Sequence, residues 1–329
     1  MRILIMGGTR FVGLHFARAA LAAGHDVTVL HRGRSGADLL PEATHLIADR
    51  DADLSVLSGL RWDATVDVSA YFPRQVRELA DALDDPGAAG RYLLVSSIAV
   101  YDTPDAPGYA EDSPLVRADG PEADEITVDS YGVLKVQCEQ AARQRFGPDV
   151  LLVRPTYVVG PQDYTHRFDH WVQRLARGGE VLAPGRPDAP LQVVDARDLA
   201  DWMLALLTRG TSGAYHAATP ATGTIGDLLD AVASAVAPPG TTLTWVDDDF
   251  LQAAGLTNRA LPLWTTDPLS LATRTADSAA ALATGLRLRP VADTARDIEP
   301  FEPLPAALTP EQETALLTAW AKSRAESGR

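Results

Sequence analysis

Gly7-Gly8-Thr9-Arg10-Phe11-Val12-Gly13 follows directly on the apolar run Ile3-Leu4-Ile5-Met6 and opens into a segment of helical periodicity over 11–23. Strand, glycine turn and helix in that order form a candidate cradle for a dinucleotide. Glycines let the backbone approach a pyrophosphate, whose charge then meets backbone amides and the helix N-terminus. All seven residues from Gly7 to Gly13 are therefore candidate cofactor ligands, although glycines at this spacing also serve as plain structural turns. Arg10 takes the place of the middle glycine of many dinucleotide loops and would set a cation beside the phosphates.

Outward from this turn, residues 1–154 alternate short β-branched runs with longer segments of helical period. Strands are expected over 2–6, 26–30, 44–48, 64–68, 91–95 and 150–154, and helices over 11–23, 74–83 and 128–146. That alternation predicts an α/β fold, a parallel sheet doubly wound by helices on both faces. After Pro155 prolines and glycines break the rhythm, so a smaller C-terminal α/β domain for substrate is expected over 155–191 and 214–329. The stretch 192–213 is expected to return to the dinucleotide-binding domain of 1–154. Thr309 as N-cap and Pro310 at the first helical position predict a terminal helix over 310–322, with 325–329 frayed.

The chain has 329 residues, 46% of them hydrophobic and 22% charged, the make-up of a globular protein able to bury a full core. One cysteine, Cys138, excludes an intrachain disulfide and any multi-cysteine metal site, and it reads as a small buried side chain. Net charge −15 opposes non-specific nucleic-acid binding, which draws on cationic side chains. The apolar start is too short for a secretory signal, and no stretch reaches the length of a membrane span. A cytoplasmic location, no membrane and no nucleic-acid partner are the corresponding expectations.

The second strand ends Val29-Leu30-His31-Arg32, where an NAD-binding protein usually carries an acid for the ribose hydroxyls. His31 and Arg32, with Arg10 or Arg34, could instead pair with a 2′-phosphate. NADP(H) is therefore the expected cofactor, with NAD(H) open if the stretch is only a solvated basic loop. Asp49, past the third strand, is either an acceptor for the adenine amino group or an exposed strand-end acid. Ser69, past the fourth, joins the cofactor-binding set.

Tyr131 and Lys135 stand four apart in a predicted helix and so share one face. A free phenol is a poor proton donor and acceptor at neutral pH unless a nearby cation favours phenolate, and an ammonium supplies that field. Ser97 follows the fifth strand, at the end of the sheet where parallel sheets bind ligands, and could steady a developing oxyanion. A Tyr-x-x-x-Lys pair or a strand-end serine alone is unspecific. The set carries the reading.

With these pieces placed, the chain resembles the short-chain dehydrogenase/reductase superfamily in its extended or atypical, epimerase/dehydratase-like branch. The resemblance rests on Gly7 to Gly13, Ser96-Ser97-Ile98-Ala99-Val100-Tyr101, the Tyr131/Lys135 pair, Arg154-Pro155-Thr156-Tyr157-Val158-Val159-Gly160-Pro161 and Val194-Asp195-Ala196-Arg197-Asp198-Leu199-Ala200. It implies a Rossmann sheet, Tyr131 as general acid/base and also a cofactor contact, Lys135 as its electrostatic modifier and a ligand of the nicotinamide ribose, and Ser97 as orienter of the reacting oxygen. The glycine turn looks most like those of bacterial oxidoreductases and of chloroplast stem-loop-binding relatives. Homodimers are common among such proteins, which leaves one possible here.

The superfamily spans ketoreductases, sugar epimerases, dehydratases and proteins that only bind, and fold does not choose among them. Nucleotide-sugar members usually carry an arginine seven residues before the acid opening the 198–200 helix. Here that position is Leu191, which weakens a nucleotide-sugar substrate. The segment 102–130 holds nine acids against Arg117 alone; it favours a neutral or cationic substrate if it covers the pocket, and is silent if it is a solvated loop. Tyr71, Tyr157, Tyr164 and Arg167 are the candidate substrate contacts, in keeping with a ring-bearing molecule. His166 and His170 stand four apart, but with no third ligand evident no metal is expected. The expected function is reduction of a small-molecule carbonyl by NADP(H); the alternatives are an epimerase or dehydratase with an internal redox cycle, and a non-catalytic RNA-binding protein.

Overall fold

Residues 3–6 are wholly buried at odd and even positions alike, a pattern produced by a strand covered on both faces. The computed structural model describes residues 1–83, 85–301, 304 and 306–327. In chain order its elements begin β1 (Arg2–Met6), α1 (Phe11–Ala22), β2 (Asp26–His31), β3 (Thr44–Ile47), β4 (Ala64–Asp67), α2 (Pro73–Ala82), β5 (Arg91–Val95), α3 (Val128–Phe146) and β6 (Leu151–Pro155). They continue as β7 (Tyr157–Val159), α4 (Arg167–Ala176), β8 (Glu180–Pro184), β9 (Val193–Asp195), α5 (Ala196–Arg209), β10 (Gly213–Ala217), α6 (Ile225–Val236) and β11 (Thr242–Val246). The helices α7 (Asp248–Ala253), α8 (Pro268–Ala272), α9 (Ala279–Ala283), α10 (Val291–Arg296) and α11 (Pro310–Ser327) complete the chain.

Seven strands form one parallel sheet in the order β3-β2-β1-β4-β5-β6-β10. The order reverses between β1 and β4, and the carboxyl ends on either side of such a reversal form the crevice where open α/β sheets take ligands. Met6 is level with Leu30 of β2 and with Asp67 of β4, so the three strand ends open at one height. Side chains alternate across the sheet. Ile3, Ile5, Val27 and Val29 pack on one face with Leu14 and Phe16 of α1 and Trp202 and Met203 of α5, while Leu4, Met6 and Leu30 pack on the other with Val76 and Leu79 of α2 and Cys138 and Ala142 of α3.

The chain divides into two compact units. The first is Met1–Val158, Val193–Ala221 and Ala276–Leu288; the second is Val159–Gln192, Thr222–Thr275 and Arg289–Arg329. These boundaries differ from the expected ones in three places, the first being that 155–158 stay with the first unit. Residues 214–217, expected in the second part, complete the main sheet, because β10 pairs in parallel with β6 from Gly213↔Leu151 to Ala217↔Pro155. Residues 276–288 also belong to the first unit, where Ala281 and Leu286 enter the core. Residues 193–213 lie in the first unit, where β9 pairs with β7 outside the main sheet.

In the second unit β8 and β11 form a parallel pair. Helix α11 is tied to β8 through Glu313, which accepts from Arg174 Nε at 2.6 Å and from the Leu182 amide at 2.9 Å. Thr309 caps α11 as expected, its Oγ1 accepting from the Gln312 amide. The helix persists through Ser327 rather than fraying from residue 325, and 328–329 lie outside the described residues. Among the described residues no helix is long and apolar enough to cross a membrane.

Candidate active site

The glycine turn is built by close approach. Gly7 sits at φ +89°, and a Cβ on it would fall 2.7 Å from Cβ and Oγ of Ser69; a Cβ on Gly13 would fall 2.5 Å from the carbonyl oxygen of Gly7 and 2.9 Å from Gly8 Cα. Only glycine fits at either position. Phe11, the first residue of α1, is held at φ +38°, and the Arg10 side chain at the N-cap makes no capping bond. The backbone around a turn of this kind fits a dinucleotide pyrophosphate. Ser69 lies directly against the turn, but its hydroxyl is spent inside the protein: it donates to Met6 O at 3.1 Å and accepts from Arg50 at 2.8 Å.

At the end of β2 the structure divides the expected basic cluster. His31 is buried, with its Nδ1 accepting from the Gly33 amide at 3.0 Å and its Nε2 2.9 Å from Nδ1 of His45, whose Nε2 bonds Leu40 O. Leu40 O can only accept, so each ring is a neutral tautomer. Burial, and then His45, lower the pKa of His31. Both ring nitrogens of His31 are therefore committed, and it has none to offer a phosphate. Arg32 and Arg34 are exposed and make no ion pair among the described residues. Asp49, half-buried past β3, accepts from the Asp51 amide.

Lys135 is buried in α3, and its Nζ donates to Ala70 O at 2.9 Å, past β4, and to Val95 O at 2.8 Å, at the end of β5. One ammonium thus ties two strand ends to the helix. Its Nζ lies 5.4 Å from the ring of Tyr71, and that ring stands 6.5 Å from the ring of Tyr131, one helical turn before Lys135. Ser97, at the N-cap of a short 3-10 turn, accepts from the Ala99 amide at 3.1 Å, and its hydroxyl hydrogen finds no acceptor among the described residues. Tyr131 is half-buried, and its hydroxyl likewise makes no hydrogen bond among them.

Gly132 allows this convergence. A Cβ there would fall 2.2 Å from Ala99 O, so α3 can pass the 97–99 segment only with glycine at this point. Gly132→Ala is expected to cost about 1–3 kcal/mol of stability by forcing helix and turn apart, measured as a fall in the urea midpoint. The close approach could not be read from a lone glycine in a helical pattern.

Behind the pair lies a buried polar network that the sequence did not disclose. Arg154 of β6 forks onto Glu139 of α3 at 2.9 and 2.7 Å, their side chains 2% and 1% exposed. Arg154 also donates to Tyr101 Oη at 2.5 Å and to Glu111 O at 2.8 Å. His216 of β10 donates from Nδ1 to Asp277 O, so its Nε2 receives the Tyr101 hydroxyl at 2.6 Å. Burial lowers the pKa of His216 and raises those of the Tyr101 and Tyr109 phenols. The one sequence signal was spacing, since Tyr131, Lys135 and Glu139 recur every four residues.

The acidic segment 102–130 is mostly solvated. Glu111 and Glu122 turn inward, the first accepting from the His216 amide at 3.1 Å, the second from Arg74 at 3.1 Å and Arg77 at 2.9 Å; the other seven acids are exposed. Tyr157 belongs to the first unit, half-buried in β7. Tyr164 and Arg167 belong to the second, where Tyr164 is exposed and Arg167 Nε donates to Thr165 Oγ1 at 3.1 Å. His166 bonds Asp169 at 2.9 Å and stacks on Phe301, while burial pushes His170 down to about 4. No group of three potential metal ligands occurs among the described residues. Burial pushes the Cys138 thiol up to about 12, which suits a small packed side chain.

A family model described as the NAD dependent epimerase/dehydratase family matches residues 3–218. The chain belongs to that family. Its nicotinamide-dependent character, its place in the epimerase-like branch of the short-chain dehydrogenase/reductase superfamily and its Rossmann sheet agree with this match. It is similar to chloroplast stem-loop binding protein of 41 kDa b from Arabidopsis thaliana, 28% identical over 222 residues that make up 63% of this chain and 55% of that protein. It is also similar to 2′-dehydrokanamycin reductase from Streptomyces kanamyceticus, 29% identical over 161 residues, 47% of this chain and 42% of that protein. The chain spans about half the length of the curated relatives it matches. Among solved structures, the Bordetella bronchiseptica enzyme WbmH in complex with NAD+ is 19% identical, with a TM-score of 0.66 over 90% of this chain and 96% of that one; this likeness is one of fold alone.

Proposed function

We propose that the chain is an NADP(H)-dependent reductase acting on the carbonyl of a small, ring-bearing, non-nucleotide substrate. The observation that carries this reading is the pair of hydroxyl hydrogens on Ser97 and Tyr131 that meet no acceptor among the described residues, beside a buried, doubly anchored Lys135. When bound, the nicotinamide cofactor supplies the hydride. Ser97 donates a hydrogen bond to the carbonyl oxygen and orients it. Tyr131 gives its hydroxyl proton to that oxygen as the carbon is reduced, and the Lys135 ammonium stabilises the phenolate until solvent returns the proton. Tyr71, beside both, forms an aromatic wall for the substrate.

Preference for NADP(H) rests on Arg32 and Arg34, which follow a strand end carrying no acid. His31 supports their loop through Gly33 rather than meeting the phosphate itself. The test is a panel of ring-bearing ketones offered with NADPH or NADH. One equivalent of NADPH is expected to be consumed per carbonyl reduced, with NADH about tenfold or more weaker. Replacing both Arg32 and Arg34 by alanine is expected to erase that preference without harming NADH use. Product formation without net cofactor consumption would instead assign an epimerase or dehydratase.

That second reading draws on the family itself, whose name covers epimerases and dehydratases. Against a nucleotide-sugar substrate stands Leu191, buried where such members usually place an arginine. A reductase among the relatives supports the first reading, while the solvated acids of 102–130 do not bear on the substrate. An RNA-binding role, prompted by the name of the chloroplast relative, is disfavoured by a net charge of −15. A small-molecule substrate is the proposed partner.

A further inference from the structure

Arg50 lies just past β3, 9% exposed, and forks onto Asp67, which is fully buried at the end of β4. Its Nη1 donates to Asp67 Oδ1 and to Ser69 Oγ, both at 2.8 Å; its Nη2 donates to Asp67 Oδ2 at 2.8 Å and to the backbone oxygen of Gln75 at 3.2 Å. Asp67 also accepts from the Ser69 amide at 3.1 Å and from the Tyr92 hydroxyl at 3.0 Å. The guanidinium thus grips residues 67–75 near both ends. What lies between them bears directly on the site. Ser69 supports the Gly7 turn and bonds Met6 O, Ala70 O anchors Lys135, and the Tyr71 amide is held by Gln75 Oε1 at 2.8 Å.

A buried ion pair is a poor source of net stability, since desolvation offsets most of the attraction. Its planar fork, however, fixes several acceptors at once. We infer that Arg50 is a positioning residue for both halves of the reaction centre. Through Ser69 it sets the height of the turn that receives the cofactor's phosphates, and through the 69–71 backbone it holds the carbonyl that anchors Lys135. This rests on the proposed reading that the Gly7 turn takes a nicotinamide dinucleotide. A lysine cannot reproduce the arrangement, because a point charge cannot hold Asp67, Ser69 and Gln75 in fixed directions.

The test compares the full-length protein with R50K, with S69A, and with R174M as a control. R174M removes a similarly buried cation in the second unit, where Arg174 pairs with Glu313. NADPH and 2′,5′-ADP affinities are titrated by fluorescence at a temperature below each variant's melting point. R50K is expected to lose about tenfold or more in NADPH affinity and S69A a smaller but measurable share. The loss should be smaller for 2′,5′-ADP, which lacks the nicotinamide ribose. R174M should melt earlier with its NADPH affinity unchanged.

NADPH affinities within about twofold of wild type in folded R50K and S69A, however much their melting points fall, overturn the inference. If R50K does not fold, S69A decides alone, because it leaves the ion pair in place. A wild-type protein that binds neither NADPH nor NADH would overturn the proposed function itself. Wild-type binding with unaffected variants overturns only the role of Arg50.

Discussion

Tyr131→Phe is expected to lower carbonyl reduction by about 10²–10⁴-fold while leaving NADPH affinity almost unchanged. The substitution removes one oxygen, and that hydroxyl makes no hydrogen bond among the described residues, so none of them is orphaned. The ring remains to pack near Tyr71, and Lys135 keeps both of its carbonyl acceptors. The loss should therefore fall on kcat with the melting temperature held. Turnover in the phenylalanine variant within about threefold of wild type would refute the role given to Tyr131. A parallel fall in NADPH affinity would relocate the residue from proton donor to cofactor ligand.

The second large effect concerns stability. Arg154→Met leaves the Glu139 carboxylate, 1% exposed, without its cation and leaves Tyr101 without its donor. Breaking a buried pair by removing one partner costs about 3–5 kcal/mol. At about 2–4 °C per kcal/mol for a domain of this size, the melting temperature should fall by roughly 6–20 °C. Replacing Glu139 by leucine as well should recover most of the loss, because the uncompensated charge is then gone. If the single substitution moves the midpoint by less than about 2 °C, the pair contributes little and the α3 to β6 packing rests on apolar contacts alone. Differential scanning calorimetry on both variants separates these outcomes.

What could be read in the sequence was what is local. The apolar run 3–6, the glycine turn after it and the four-residue spacing of Tyr131 and Lys135 each report a geometry fixed within a few residues, and the structure places the strand, turn and helix accordingly. Helical spacing likewise groups Leu316, Leu317 and Trp320 of α11, of which Leu317 and Trp320 are buried. What escaped depends on partners distant in the chain. His31 reads as a cation until His45 and Gly33 are seen to occupy its ring. Asp67 and Arg50 look like ordinary strand-end charges until they meet, and Glu139 needs Arg154 to explain a carboxylate on an inward face. β10 was missed for another reason: Gly213-Ala214-Tyr215-His216-Ala217 lacks the β-branched run that marked the other strands. Its place comes from the exposed edge of β6.

That edge has a consequence for synthesis. The outermost strand beside β6 comes from residues 213–217, so a nascent polypeptide still short of that point has emerged with six strands of the main sheet and a row of unpaired amides and carbonyls along Leu151–Pro155. Such an open border is a template for pairing with another chain. The ribosome must therefore deliver 156 to 217 before the molecule can seal its own flank, and aggregation during translation should concentrate in that interval.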